Sequence, residues 1–180
     1  MPTEHTRQAY GDGMEILIYP DKVLRRKAAL IKDADMDEVR SIATRMLELM
    51  YKKKGVGLAG PQVSFSKRMY TVDTSEERNK PIILINPKIE LLEDFEEENE
   101  GCLSFPGLYA PVKRGAYVKI AFTGLDGELH TIDGEGLTAR ALQHEFDHLD
   151  GVLFIDRLGA AARSALRKDL KEMEKAASRE

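Results

Sequence analysis

The chain has 180 residues, 42% of them hydrophobic and 32% charged, with a formal net charge of −4. That is an ordinary composition for one globular domain with a real core, and it offers no global basic field for nucleic-acid binding. No apolar run approaches the roughly 18–20 residues that span a membrane, and a single cysteine, Cys102, excludes an intrachain disulfide and fits a reducing compartment.

Residues 1–13 lack a basic start followed by an apolar stretch, so they read as a flexible leader and not as a secretory signal. Residues 14–180 read as one domain. Asp35 with Glu38 resembles a capping box opening a helix. Val39, Ile42, Ala43, Met46, Leu49 and Met50 follow at helical spacing, a stripe read as core, and Gly55 ends it. Residues 56–62, Val-Gly-Leu-Ala-Gly-Pro-Gln, predict a glycine-rich loop. Segments 68–73 and 82–86 read as short strands, the second closed by Asn86-Pro87. The acidic run 93–100 reads as a solvated edge. Segments 117–123 and 128–132 predict a hairpin across Leu125-Asp126-Gly127. A helix follows, with Thr138 as N-cap and Gly151 as its stop. Residues 160–180 predict an exposed terminal helix of mixed charge. Strands lie between early and late helices without βαβ alternation, so the class is α+β. The expected architecture is short antiparallel strands around a central metal-binding helix, with an N-terminal and a C-terminal helix.

The central helix carries the chemistry. In His144-Glu145-Phe146-Asp147-His148 two imidazoles stand four positions apart, on one helical face, where both reach one metal ion. Glu145 then projects beside that metal, where a carboxylate can act as general base on a water. Leu137, Ala141, His144 and His148 form one stripe; Leu142, Phe146 and Leu149 form a second apolar one. A helix apolar on two sides is buried, and buried histidines need partners.

A catalytic site of this kind takes three protein ligands and keeps one position open. The third donor is not local. A histidine six residues after His148 would complete one metalloprotease pattern, but that position is Phe154. A downstream glutamate would complete another, with Glu172 and Glu174 as candidates in the polar terminal helix. Cys102 is the remaining candidate, since a thiolate is a good metal ligand; a lone cysteine can equally be buried and inert.

Three segments together resemble the peptide deformylase family: Gly55-Val-Gly-Leu-Ala-Gly-Pro-Gln62, Glu100-Gly-Cys-Leu-Ser104 and Gln143-His-Glu-Phe-Asp-His148. The similarity extends to Ile18-Tyr-Pro-Asp-Lys-Val-Leu-Arg25 and Gly151-Val-Leu-Phe-Ile-Asp-Arg157, covering about residues 16–158. It looks most like the bacterial type with a helical C-terminus. The resemblance implies removal of the formyl group from the formyl-methionine of new polypeptides, in the cytoplasm. It implies Cys102, His144 and His148 as metal ligands and Glu145 as general acid and base. It makes Gln62 and the backbone N–H of Leu103 donors to the developing oxyanion. Val56, Gly57, Gly101 and Leu137 become substrate-binding residues, with Gly57 and its neighbours receiving the peptide main chain as an added strand. The alternative left by the residues alone is a zincin-like metallopeptidase with Glu172 or Glu174 as third ligand. A metal-stapled module that docks on the ribosome without turnover would need no carboxylate base.

Several positions depart from the family pattern. Gly60 stands where a second alanine is usual, which adds backbone freedom beside Gln62. An arginine common near Tyr109 is absent, a position implied to contact residues beyond the formyl-methionine. Arg140, one turn before His144, reads as a structural ion pair with an acid such as Glu100. One thiolate and two imidazoles suggest zinc by ligand softness, whereas the resemblance implies Fe2+ in the cell, with Zn2+, Ni2+ or Co2+ able to occupy the site. In the family a basic C-terminal helix can meet the ribosome; here residues 156–180 carry seven Lys/Arg against five Asp/Glu. No membrane partner and no direct nucleic-acid recognition are expected.

Overall fold

The computed structural model describes residues 13–179. The expected leader therefore lies, apart from Gly13, outside the described residues. In chain order the main elements are α1 (Met36–Lys52), β1 (Gly57–Ala59), β2 (Met69–Val72), β3 (Ile82–Cys102), β4 (Phe105–Thr123), β5 (Leu129–Glu135), α2 (Gly136–Leu149) and α3 (Ala160–Ala177). The five strands form one antiparallel sheet in sequential order, β1-β2-β3-β4-β5. The class is α+β, as expected.

Two strands are much longer than the short ones expected: β3 has 21 residues and β4 has 19. The Asn86-Pro87 step does not end β3. Asn86 takes φ 48° and the ladder slips between Ile85 and Lys88, so the step is a bulge within one strand. The acidic run continues β3 instead of forming a loose edge. Glu96 lies opposite Arg114 and Glu97 opposite Lys113, and opposite charges across a ladder favour pairing. The hairpin expected across 125–127 joins β4 to β5.

Helix α1 buries the predicted stripe, Val39, Ile42, Ala43, Met46, Leu49 and Met50. Apart from Ala43, each such side chain removed from water contributes about 1.5–3 kcal/mol. Its expected capping box does not form. Asp35 instead accepts from Lys32 N (2.9 Å), closing a 3-10 turn before the helix, and Glu38 faces Lys67 Nζ (3.7 Å). The chain leaves α1 through Lys54 at φ 56°, and Gly55 N donates to Met50 O (2.9 Å).

The glycine-rich loop expected over 56–62 is instead strand β1 followed by a 3-10 turn, Gly60–Val63. Successive strand residues point to opposite faces. Met69 of β2 joins the α1 cluster, while Tyr70 and Val72 join the α2 cluster. Leu58 of β1 faces α1 and Ala59 faces α2. Gly57, two residues before Ala59, therefore faces α2. Among the described residues no strand pairs with the second edge of β1, which borders the site.

Helix α2 begins at Gly136 with Glu135 as N-cap, three residues before the Thr138 cap expected. Thr138 instead shares a hydrogen bond with Thr74 (Oγ1–Oγ1 2.6 Å). The helix stops at Leu149, and Gly151 at φ 71° makes the left-handed exit, as expected. Helix α3 is exposed except for Leu166 and Leu170, which pack with Phe105, Val112 and Phe154.

Candidate active site

Helix α2 supplies His144 and His148, and the last residue of β3 is Cys102. Cys102 Sγ and one nitrogen of each imidazole all lie within 4.8 Å of one another. His148 Nε2 stands 3.2 Å from His144 Nε2 and 3.5 Å from Cys102 Sγ. Metal bonds of about 2.0–2.1 Å to nitrogen and about 2.3 Å to sulfur give tetrahedral edges of roughly 3.3 Å and roughly 3.6 Å. The two separations from His148 match those edges, and all three donor atoms lie within 4.8 Å of one another, so the group fits a divalent cation. Two ring nitrogens this close cannot both carry a proton. Burial pushes His148 well below its ordinary pKa, and the charge of His144 adds to the effect. Burial also disfavours charge on His144, but Cys102 and Glu100 override it and hold its pKa well above the ordinary value. A cation between the rings removes that conflict.

The other candidate ligands lie elsewhere. Glu174 accepts from Tyr19 OH (2.7 Å) and Glu172 faces Lys168 (4.0 Å), both on α3. Among the described residues only Cys102, His144 and His148 converge in this way.

A buried charge network orients the first imidazole. His144 Nδ1 donates to Glu100 Oε1 (2.5 Å), which turns Nε2 toward the donor group. Arg114 grips Glu100 with two bonds (2.7 and 2.6 Å), and Arg140 adds a third (3.1 Å). Arg114 also reaches Asp147 Oδ2 (2.9 Å), which Arg157 holds from the other side (2.5 and 2.7 Å). Burial raises the Glu100 carboxyl, but Arg114 and His144 outweigh it and hold it well below the usual carboxylate range. Residues 93–99 are exposed, as expected of a solvated edge, and Glu100 alone departs from that reading, being buried and paired. Arg140 makes the expected ion pair and also binds Val112 O (2.9 Å). Arg114, Asp147 and Arg157 were not singled out from sequence. Asp147 was legible inside the histidine motif; Arg114 was not, because its partners lie 14 and 33 residues away.

Glu145 sits on the open side of this group. It is 5% exposed, and its Oε2 has no hydrogen-bond partner among the described residues. Burial pushes its carboxyl up to about 7, against the pull of the His144 charge. A group that titrates near neutrality can both take and return a proton. Gln62 approaches from the 3-10 turn. Its Oε1 accepts from Ala59 N (2.9 Å) and its carbonyl from Leu17 N (2.7 Å), which leaves Nε2 aimed at Ser104 Oγ (3.1 Å) and Cys102 Sγ (3.6 Å). The extra freedom expected from Gly60 is not used. A β-carbon there would stand 2.6 and 2.9 Å from the carbonyl oxygens of Phe65 and Lys67, so the glycine allows close packing while Gln62 stays held. Ser104, inside a quoted motif, had been given no role.

Leu103 opens the two-residue turn between Cys102 and Phe105, which face each other in the ladder. Val56, Gly57, Gly101 and Leu137 line the same cleft of about 830 Å3, with Leu137 exposed at its rim. Nine of the ten site residues expected from sequence border this one cavity; the tenth, His148, is a buried neighbour of His144. The arrangement can bind a cation, polarise a carbonyl, donate to an oxyanion and move a proton.

The family model described as polypeptide deformylase matches residues 14–164. The peptide deformylase of Acidobacterium capsulatum is 43% identical over 163 residues, covering 89% of this chain and 95% of the relative. That of Pseudoalteromonas translucida is 43% identical over 159 residues, covering 88% and 95%. A plant peptide deformylase crystal structure superposes with a TM-score of 0.89 at 37% identity, covering 93% of this chain and 92% of that one. The enzyme from Plasmodium falciparum gives 0.84 at 36%, covering 90% and 96%.

Proposed function

The chain belongs to the peptide deformylase family, a metal-dependent hydrolase that removes the N-formyl group from formyl-methionyl polypeptides, and we propose how its own residues perform that reaction. The reading rests on one observation: Cys102, His144 and His148 converge beside Glu145 and Gln62 on a single cleft. Cys102, His144 and His148 hold the cation. The chemistry such a cation would supply when bound is a nucleophilic water at neutral pH and a polarised formyl oxygen. Glu145 accepts the proton of the attacking water and returns it to the leaving amine. Gln62 Nε2 and the Leu103 N–H donate to the oxygen that gains charge; losing one such donor typically costs about 100–1000-fold in rate. The free edge of β1 at Val56 and Gly57 receives the peptide main chain, with Gly101 and Leu137 against the methionine side chain.

The metal in the cell is Fe2+ in this reading, and zinc, nickel or cobalt can replace it. The reaction is placed in the cytoplasm on nascent chains, with the small basic excess of the C-terminal segment available to the ribosome. No helix among the described residues is long and apolar enough to cross a membrane. Formate release from formyl-Met-Ala peptides by the anaerobically Fe2+-loaded chain tests the reading. Absence of formate sinks it, and cleavage of internal peptide bonds would instead favour a metallopeptidase.

A further inference from the structure

The cleft continues past the formyl site into a cluster of lysines. Lys52, Lys53 and Lys54, at the end of α1, line the same cavity as Gly57, Cys102 and Glu145. All three are exposed, and none has a salt-bridge partner among the described residues. The one exposed carboxylate lining the cavity among the described residues is Glu15. A chain of net charge −4 thus presents an excess of positive charge at the mouth of its cleft. Lysines at a helix C-terminus also complement the helix dipole, which accounts for Lys52 in the last turn. Lys53, the C-cap residue, shares that effect, whereas Lys54 lies beyond the helix.

The direction of a bound peptide follows from the site. Its formyl end must lie at Glu145, and Glu145 lies against Gly57. From there the cleft wall leads through Val56 and Gly55, whose N–H is held by Met50 O and whose carbonyl is held by Arg78, to the turn at Lys54 and Lys53. An extended peptide advances about 3.4 Å per residue, so a chain leaving the formyl site toward that turn has its third and fourth residues roughly 7–10 Å along, on the side of the cleft lined by Lys54 and Lys53. We infer that Lys53 and Lys54 select formyl-methionyl chains carrying acidic side chains at the third and fourth positions. The inference rests on the deformylase reading and names the substrate class of that same cleft.

The test compares kcat/KM for formyl-Met-Ala-Glu-Glu, formyl-Met-Ala-Ser-Ser and formyl-Met-Ala-Lys-Lys amides with the Fe2+-loaded full chain. Exposed ion pairs give about two- to fivefold each, so the order acidic, neutral, basic is expected, with about tenfold between the extremes. The preference should shrink at about 0.5 M salt, where charges more than roughly 4 Å apart are screened. Lys53→Glu/Lys54→Glu should invert the order, and Lys53→Gln/Lys54→Gln should abolish it. Equal kcat/KM for the three peptides, or a preference unchanged by salt or by both double variants, overturns the inference alone. No formate from any of the three overturns the deformylase reading and the inference with it.

Discussion

A β-carbon placed on Gly57 would stand 2.6 Å from Oε1 of Glu145 and 2.7 Å from its Cγ. The edge strand and the buried carboxylate are therefore fitted to each other, with the glycine making the room. Gly57 serves the proposed base as well as the peptide that β1 is proposed to bind.

Gly57→Ala is expected to displace Glu145. A misplacement of about 1 Å can cost on the order of 100-fold in rate. We expect kcat to fall by about that much while the metal content stays at the wild-type level. Steady-state kinetics with metal analysis checks it; a variant that loses metal and retains kcat per bound ion contradicts it.

Removing Glu100 should act through His144. Glu100→Ala leaves Arg114 and Arg140 buried without their shared carboxylate, and breaking a buried pair costs about 3–5 kcal/mol. It also frees Nδ1 of a ligand imidazole, and losing such a partner typically weakens metal binding about 10–100-fold. Denaturant melts and metal competition should show both losses. Unchanged metal affinity would mean that the helix alone orients His144.

The third ligand can be assigned by deletion. Cys102→Ala should abolish tight metal binding, while Glu172→Ala should leave it intact, because Glu172 faces Lys168 on α3. Wild-type metal stoichiometry in the cysteine variant removes Cys102 from the ligand set.

Iron and a thiolate are both oxidisable, whereas zinc has no redox chemistry. The Fe2+ form should be the faster one, and it should lose activity in aerated buffer, more slowly with catalase or a thiol reductant present. The zinc form should be slower and stable in air. Parallel time courses of formyl-peptide hydrolysis decide this; equal air stability of the two forms would mean that oxygen does not reach the metal or that iron is not bound through Cys102.

Stability should depend on pH through Tyr51 and Asp73. Tyr51 OH donates to Asp73 Oδ2 (2.6 Å) beside the segment whose Arg78 binds the Gly55 carbonyl. Burial raises the Asp73 carboxyl, but hydrogen bonds from Ser75, Tyr51 and Lys80 outweigh it and hold it below its ordinary 3.8. Burial, with Asp73 adding to it, pushes Tyr51 up to about 12 from 10.0. A depressed acid stabilises above its unfolded pKa and loses that stability as pH falls through the folded value. A raised phenol stabilises below 10.0 and loses that stability as pH rises through about 12. The Tm difference between wild type and Tyr51→Phe should therefore be level between about pH 5 and about pH 9 and shrink at both extremes. A difference that stays constant into acid and alkali excludes this pair as the source.

The sequence by itself determined the elements whose signals are local. The α1 stripe, the exit at Gly151, the β4–β5 hairpin and the two imidazoles on one helical face all depend on residues a few positions apart. Backbone geometry alone brings such residues together. The length of β3 was not legible, because the acidic residues at 93–99 are solvated and yet belong to a strand only by virtue of Lys113 and Arg114 across the ladder. Tertiary structure alone decided that Glu100 is buried, that Arg114 joins it to Asp147, and that Gly57 faces Glu145 and not α1. These contacts join residues 14 to 88 positions apart in the chain. A buried charge is tolerable only where such distant partners meet it, and no local pattern carries that information.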